Sequence, residues 1–130
     1  MCKAVGDQTD ALEHARAIQI EAAAVGFDWP NITGALAKVR EEIGEIESAW
    51  VSGNGAHARK ELGDLLFSAV NLARFLETNP SEELRRTNRR FSERFGRVQE
   101  EVRRNGRTMQ KCTLAELDEV WESVKAQDSG

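Results

Sequence analysis

Apolar residues recur at the helical period along nearly the whole chain, and turn-forming residues divide that periodicity into about five predicted helices. The first covers about 9–25 and stops at Gly26, a natural C-terminal end. Phe27, Asp28, Trp29 and Pro30 make an irregular, partly apolar turn. The second helix, about 31–51, carries a stripe of Leu36, Val39, Ile43, Ile46 and Trp50, and Ser52-Gly53-Asn54-Gly55 interrupts it. A third runs over about 56–78. Pro80 opens the fourth, which reaches about 105 with Phe91, Phe95, Val98 and Val102 on one side. Thr113 and Glu116 spell a T-x-x-E capping box ahead of a last helix bearing Leu114, Leu117, Trp121 and Val124. With only two prolines in 130 residues and no hairpin signal, this reads as an all-α helical bundle. The size predicts one domain over 1–130, with 1–8 and 126–130 as flexible ends.

The third helix is unusual. Between 62 and 76 the only polar side chains are Asp64, Ser68, Asn71 and Arg74, so the spacing predicts a helix buried on most of its faces. Glu61, Asp64, Ser68 and Asn71 then form one polar stripe along it. A buried carboxylate needs a counter-charge, and this helix offers only Arg74, well beyond Glu61. The second helix adds Glu42 and Glu45, three apart. Packed together, the two helices bring four carboxylates into one pocket, where each like-charge pair at about 4 Å repels by roughly 4 kcal/mol at an effective dielectric near 20. A shared divalent cation reverses that sign. Oxygen-only ligation favours Mg2+ or Mn2+. A di-iron bundle needs E-x-x-H motifs, which neither His14 nor His57 supplies. The competing reading is a solvated acidic face, common for E-x-x-E on a helix. Gly44 and Gly63, each costing about 1 kcal/mol against alanine within a helix, predict a close approach by another helix or a ligand.

Composition adds an asymmetry. The net charge of -4 combines a +6 segment over 85–107, which holds nine arginines against Glu93, Glu100 and Glu101, with -10 elsewhere. One part is suited to an anion and the other to a cation. Cys2 and Cys112 are isolated, which indicates neither a disulfide framework nor a zinc site. No stretch approaches the roughly 20 apolar residues of a membrane span, so the expected location is cytoplasmic.

The combination EEIGE, 41–45, and ELGD, 61–64, resembles the EExxE...ExxD signature of the MazG family of nucleoside triphosphate pyrophosphohydrolases. The likeness extends through VGFDW at 25–29, GDLLFSAVNLARFL at 63–76, TNRRFSERF at 87–95 and LDEVWESVK at 117–125. It is strongest to the catalytic C-terminal half of two-repeat MazG proteins. The resemblance implies an all-α fold whose four-helix core is completed by dimerisation. It also implies hydrolysis of a nucleoside triphosphate to monophosphate and pyrophosphate, in keeping with nucleotide-pool house-cleaning.

By the same resemblance Glu42, Glu45, Glu61 and Asp64 are the Mg2+ ligands. Glu41 or Glu45 accepts the proton of the attacking water, Arg90 and Arg94 contact phosphates, and Trp121 contacts the nucleotide. Arg90 stands where a lysine is commoner, and His57 stands where some relatives have a lysine, so His57 receives no role. Lys38, one turn before Glu42, and Asn71 are further substrate-binding candidates. Each of these has an ordinary alternative: an ion pair for Lys38, a helix contact for Asn71, a solvated face for the arginines and core packing for Trp121. The rival functions are a phosphoribosyl-ATP or dCTP/dUTP pyrophosphohydrolase, a non-catalytic dimerisation module, and nucleic-acid binding through the arginine-rich helix. The overall acidity argues against the last.

Overall fold

A computed structural model describes residues 10–129. Among them are α1 (Ala11–Ala24), α2 (Ile32–Val51), α3 (Gly55–Phe75), α4 (Pro80–Arg104), a short 3-10 turn (Met109–Lys111) and α5 (Leu114–Ser129), with no strand. The predicted 1–8 tail lies outside the described residues, and α5 continues to Ser129.

Side-chain caps explain why each helix begins where it does. Asp10, Asn31, Asn54 and Asn79 accept backbone N–H bonds from Glu13, Thr33, His57 and Glu82, satisfying donors that a first turn leaves unpaired. The Thr113 capping box closes in both directions: Thr113 N donates to Glu116 Oε1 at 2.8 Å, and Glu116 N donates to Thr113 Oγ1 at 3.1 Å. Those bonds hold the Glu116 carboxyl below its ordinary range, the bond from the Thr113 backbone most of all. At the end of α1, Gly26 takes φ +90°, which lets the N–H groups of Gly26 and Phe27 return to the carbonyls of Ala23 and Ala22.

The chain forms two compact units, the first ending at Glu83 and the second beginning at Leu84. In the first, α2 and α3 pair along their length and α1 lies against α3. Gln19 of α1 fastens that contact by donating from Nε2 to the Phe67 carbonyl at 2.9 Å. Ser81 donates to Asp10 at 2.6 Å, tying the start of α4 to the start of α1.

Three expectations need correction here. On α2 the buried line is Ala35, Glu42 and Ala49, and the predicted stripe residues Ile43 and Trp50 are exposed. Alanines a heptad either side of Glu42 allow α3 to approach, which turns the larger side chains outward. On α3 the buried residues are Glu61, Ser68, Val70 and Ala73, and Leu62, Leu66 and Phe67 are 44–53% exposed. The helix is therefore not buried on most of its surface among the described residues. Nor does another helix of this chain come close at Gly44 or Gly63, where an added Cβ would meet no atom of the chain within 4 Å. The tight glycine is Gly34, where a Cβ would fall 2.5 Å from Cε3 of Trp29.

The second unit has an aliphatic centre of Val98, Val102 and Val124, with Met109, Cys112, Leu117, Val120 and Trp121 packed against it. Phe91 stacks on Phe95 with centroids 5.9 Å apart and meets Trp121 at 5.2 Å. No helix among the described residues is long and apolar enough to cross a membrane.

Candidate active site

The α2–α3 pairing places Glu42, Glu61 and Asp64 so that one carboxylate oxygen from each lies within 4.8 Å of the other two. Glu42 and Glu61 are the interior members, 4% and 7% exposed, and Asp64 stands half-exposed at the rim. Contact with the Glu42 carboxyl pushes the Glu61 carboxyl above its ordinary range, and burial adds to the effect. One oxygen of Glu42, Oε1, is buried with no hydrogen-bond partner. An orphaned carboxylate oxygen inside an all-oxygen donor set is what a hard divalent cation satisfies, and these residues fit Mg2+ or Mn2+.

Two lysines temper the charge. Lys38 reaches Glu41 at 2.9 Å and Glu42 at 3.2 Å, and those two acids, Glu41 first, raise its pKa. Lys60 reaches Asp64 at 3.3 Å and Glu61 at 3.7 Å. The counter-charge for α3 therefore comes from Lys60, not from Arg74. Lys60 sits four residues before Asp64, a spacing that would have pointed to it. Arg74 instead grips Asp28 at 2.6 and 3.0 Å, which holds the Asp28 carboxyl below its usual range. Glu45 belongs to a second group, in which its carboxylate, the His57 imidazole and Glu61 offer donor atoms within 4.8 Å of one another.

Beside the carboxylates lies a cleft of about 490 Å3 whose walls include Phe27, Trp29, Phe67, Lys38, Asn71 and Arg74. Lys38 links the two features, since it lines the cleft and also binds Glu41 and Glu42. Asn71 lines the same cleft and accepts a 2.6 Å bond from Arg74 through Oδ1. Trp29 keeps its place by lying across the bare backbone of Gly34. Mostly apolar walls with a few fixed polar groups suit a flat, partly polar ligand. No local periodicity points to this cleft, because the Asp28–Arg74 pair that braces it is 46 residues apart in sequence.

Arg90, Arg94 and Trp121 belong to the second unit, where each has a partner of its own. Arg90 donates to Thr87 Oγ1 at 3.3 Å, Arg94 pairs with Asp128 at 2.8 Å, and Trp121 packs on Phe91.

No family model matches the chain. Among curated proteins it is 41% identical over 118 residues to the nucleoside triphosphate pyrophosphohydrolase/pyrophosphatase MazG of Thermotoga maritima, covering 91% of this chain and 45% of that protein. It is 40% identical over 120 residues to the nucleoside triphosphate pyrophosphohydrolase of Escherichia coli strain K12, covering 91% of this chain and 46% of that protein. The chain thus spans just under half the length of these relatives. At this level of identity along nine-tenths of its residues, the chain is homologous to part of each of these two proteins.

Proposed function

We propose that the chain hydrolyses nucleoside triphosphates to nucleoside monophosphate and pyrophosphate in a Mg2+-dependent reaction. The observation that carries this reading is the convergence of Glu42, Glu61 and Asp64 beside an aromatic cleft. The names of the relatives support the reaction class. A bound divalent cation would offset the triphosphate charge and acidify a coordinated water. Glu42, Glu61 and Asp64 would hold it, with Glu45 at the edge. Glu41 or Glu45, both exposed, would accept the proton of the attacking water. Lys38 pairs with Glu41 at 2.9 Å and also lines the cleft. There Trp29 and Phe27 offer flat faces to a base, and Asn71 a polar edge. The resemblance, rather than this geometry, supports phosphate contacts by Arg90 and Arg94 and a nucleotide contact by Trp121.

The same reading takes the working form as a pair of chains in the cytoplasm. Ile43, Trp50, Leu62 and Leu66 present apolar surface on α2 and α3, the helices that hold the acids, and a second copy would cover such a face. Sedimentation at micromolar concentration checks this, and a lone 14.5 kDa species would refute it.

The experiment for the reaction is a turnover panel of ribo- and deoxynucleoside triphosphates, including oxidised and methylated bases, with Mg2+ and with EDTA. Pyrophosphate release that EDTA abolishes is expected. Orthophosphate as the sole product, or turnover indifferent to EDTA, would overturn the proposal.

A further inference from the structure

Gln19 of α1 and Asn71 of α3 both line the aromatic cleft, and each has one end of its amide already committed. Gln19 Nε2 donates to the Phe67 carbonyl at 2.9 Å, a bond that fixes which end of the amide is nitrogen. The other end, Oε1, is buried without a hydrogen-bond partner, on a residue only 5% exposed. Asn71 is committed the other way round. Its Oδ1 accepts from Arg74 at 2.6 Å, so its N–H groups are what it has left to offer. Ser68, buried and lining the same cleft, gives its one hydroxyl hydrogen to the Asp64 carbonyl at 2.9 Å and keeps only lone pairs for anything else.

The uncommitted groups are therefore two acceptors, Gln19 Oε1 and Ser68 Oγ, and one donor, the Asn71 amide nitrogen. A buried acceptor without a partner is destabilising, and no group among the described residues relieves Gln19 Oε1. A role for Gln19 in tying α1 to α3 accounts for the Nε2 bond and leaves the burial of Oε1 unexplained. The donor it lacks has to come from what enters the cleft. The amino group of cytosine or adenine presents N–H donors, and a ring nitrogen beside it accepts. That edge matches the two acceptors and the donor. In uracil or hypoxanthine a carbonyl oxygen replaces the amino group, so acceptor would face acceptor at Gln19.

We propose that Gln19 determines base specificity, its Oε1 accepting from the exocyclic amino group of cytosine or adenine, so that aminated nucleoside triphosphates are preferred to their deaminated counterparts. This rests on the pyrophosphohydrolase reading, with the base seated in the aromatic cleft. The test compares kcat/KM for pyrophosphate release in Mg2+ within two pairs, CTP against UTP and ATP against ITP. The wild type should favour the amino member of each pair by roughly tenfold or more, chiefly through KM, because a site whose buried polar group is left unpaired rejects the analogue. Gln19→Leu, of similar bulk, should bring that ratio close to one by losing rate on the amino members. A purely structural role would slow both members alike and leave the ratio unchanged. Ser68→Ala should narrow the ratio in the same direction, and it decides the matter if Gln19→Leu does not fold. A wild-type ratio of one or below, or a ratio that folded Gln19→Leu leaves intact, would overturn the assignment and let the reaction stand. Failure of the wild type to turn over any of the four triphosphates would bring down both.

Discussion

At Glu42 and Glu61 the first unit buries carboxylates side by side, whereas at Val98, Val102 and Val124 the second unit buries aliphatic side chains and keeps its ion pairs, Arg94 and Arg97 with Asp128, nearer its edge. The second unit follows the ordinary rule, in which burial of apolar surface stabilises and paired charges stay partly hydrated. The first unit breaks that rule twice. It turns acids inward and leaves Ile43, Trp50, Leu62 and Leu66 outward. Under the proposed function a cation would meet the inward acids and a second copy would cover the outward apolar faces of α2 and α3. The second unit also leaves Leu84, Phe91 and Leu114 48–82% exposed, so what separates the two among the described residues is the burial of carboxylates in the first.

The largest expected effect tests that division directly. Asp64→Ala should lower pyrophosphate release by about a thousandfold, the scale on which removal of one charge-stabilising group acts in other active sites. Asp64 is half-exposed, so its circular dichroism spectrum should match the wild type. An Asp64→Ala protein of full activity would return the acidic cluster to a solvated helix face. Val102→Ala in the second unit should do the reverse. Val102 is 1% exposed, and its truncation should lower the unfolding free energy by about 2 kcal/mol in urea titration, with turnover per folded molecule little changed. A collapse of turnover in the folded Val102→Ala protein would end the contrast between the two units.

Gly34→Ala is expected to act more locally. A Cβ there meets Cε3 of Trp29 at 2.5 Å, closer than side-chain atoms tolerate, so the indole must leave its place on the cleft wall. If Trp29 contributes to nucleotide binding, KM should rise by roughly tenfold, which corresponds to about 1.4 kcal/mol, and kcat should hold. A fall in kcat with KM unchanged would detach the cleft from substrate binding.

The positions of the helices were legible because their punctuation is local: Asn31, Asn54, Pro80, Gly26 and the Thr113–Glu116 box act within a few residues of where they stand. Which face of α2 points inward was not. Ala35 and Ala49 are small enough that apolar spacing passes over them in favour of Leu36, Ile43 and Trp50, yet small size is what lets α3 come close to Glu42. The pairing of ELGD with EEIGE could be anticipated because three-residue spacing fixes a helix face. Lys60 and His57 could not be read from a search for carboxylates alone, although each precedes its partner by one turn. The cleft depends on Trp29 over Gly34 and on Asp28 with Arg74, contacts that leave no periodic trace in the chain.

The smallest expected effect sets the two units against each other through pH. Contact with Glu42, and then burial, raise the Glu61 carboxyl above its unfolded value, so in the absence of metal the native state binds more protons there than the unfolded state. Its contribution to stability therefore falls as pH rises from the ordinary carboxylate range through the raised native value, and at neutral pH it is unfavourable. Arg97, and next Arg94, hold the Asp128 carboxyl below its unfolded value. Its contribution is fully present above the unfolded value and is lost as pH falls through the depressed native one. In EDTA at neutral pH, Glu61→Gln should thus raise the melting temperature and Asp128→Asn should lower it, with both differences shrinking in acid. Millimolar Mg2+ should reverse the sign for Glu61→Gln, because the wild-type carboxylate then has a cation to hold, and should leave Asp128→Asn as it was. Shifts of the same sign for both variants in EDTA would show that Glu61, like Asp128, is held by its neighbours and awaits no ion.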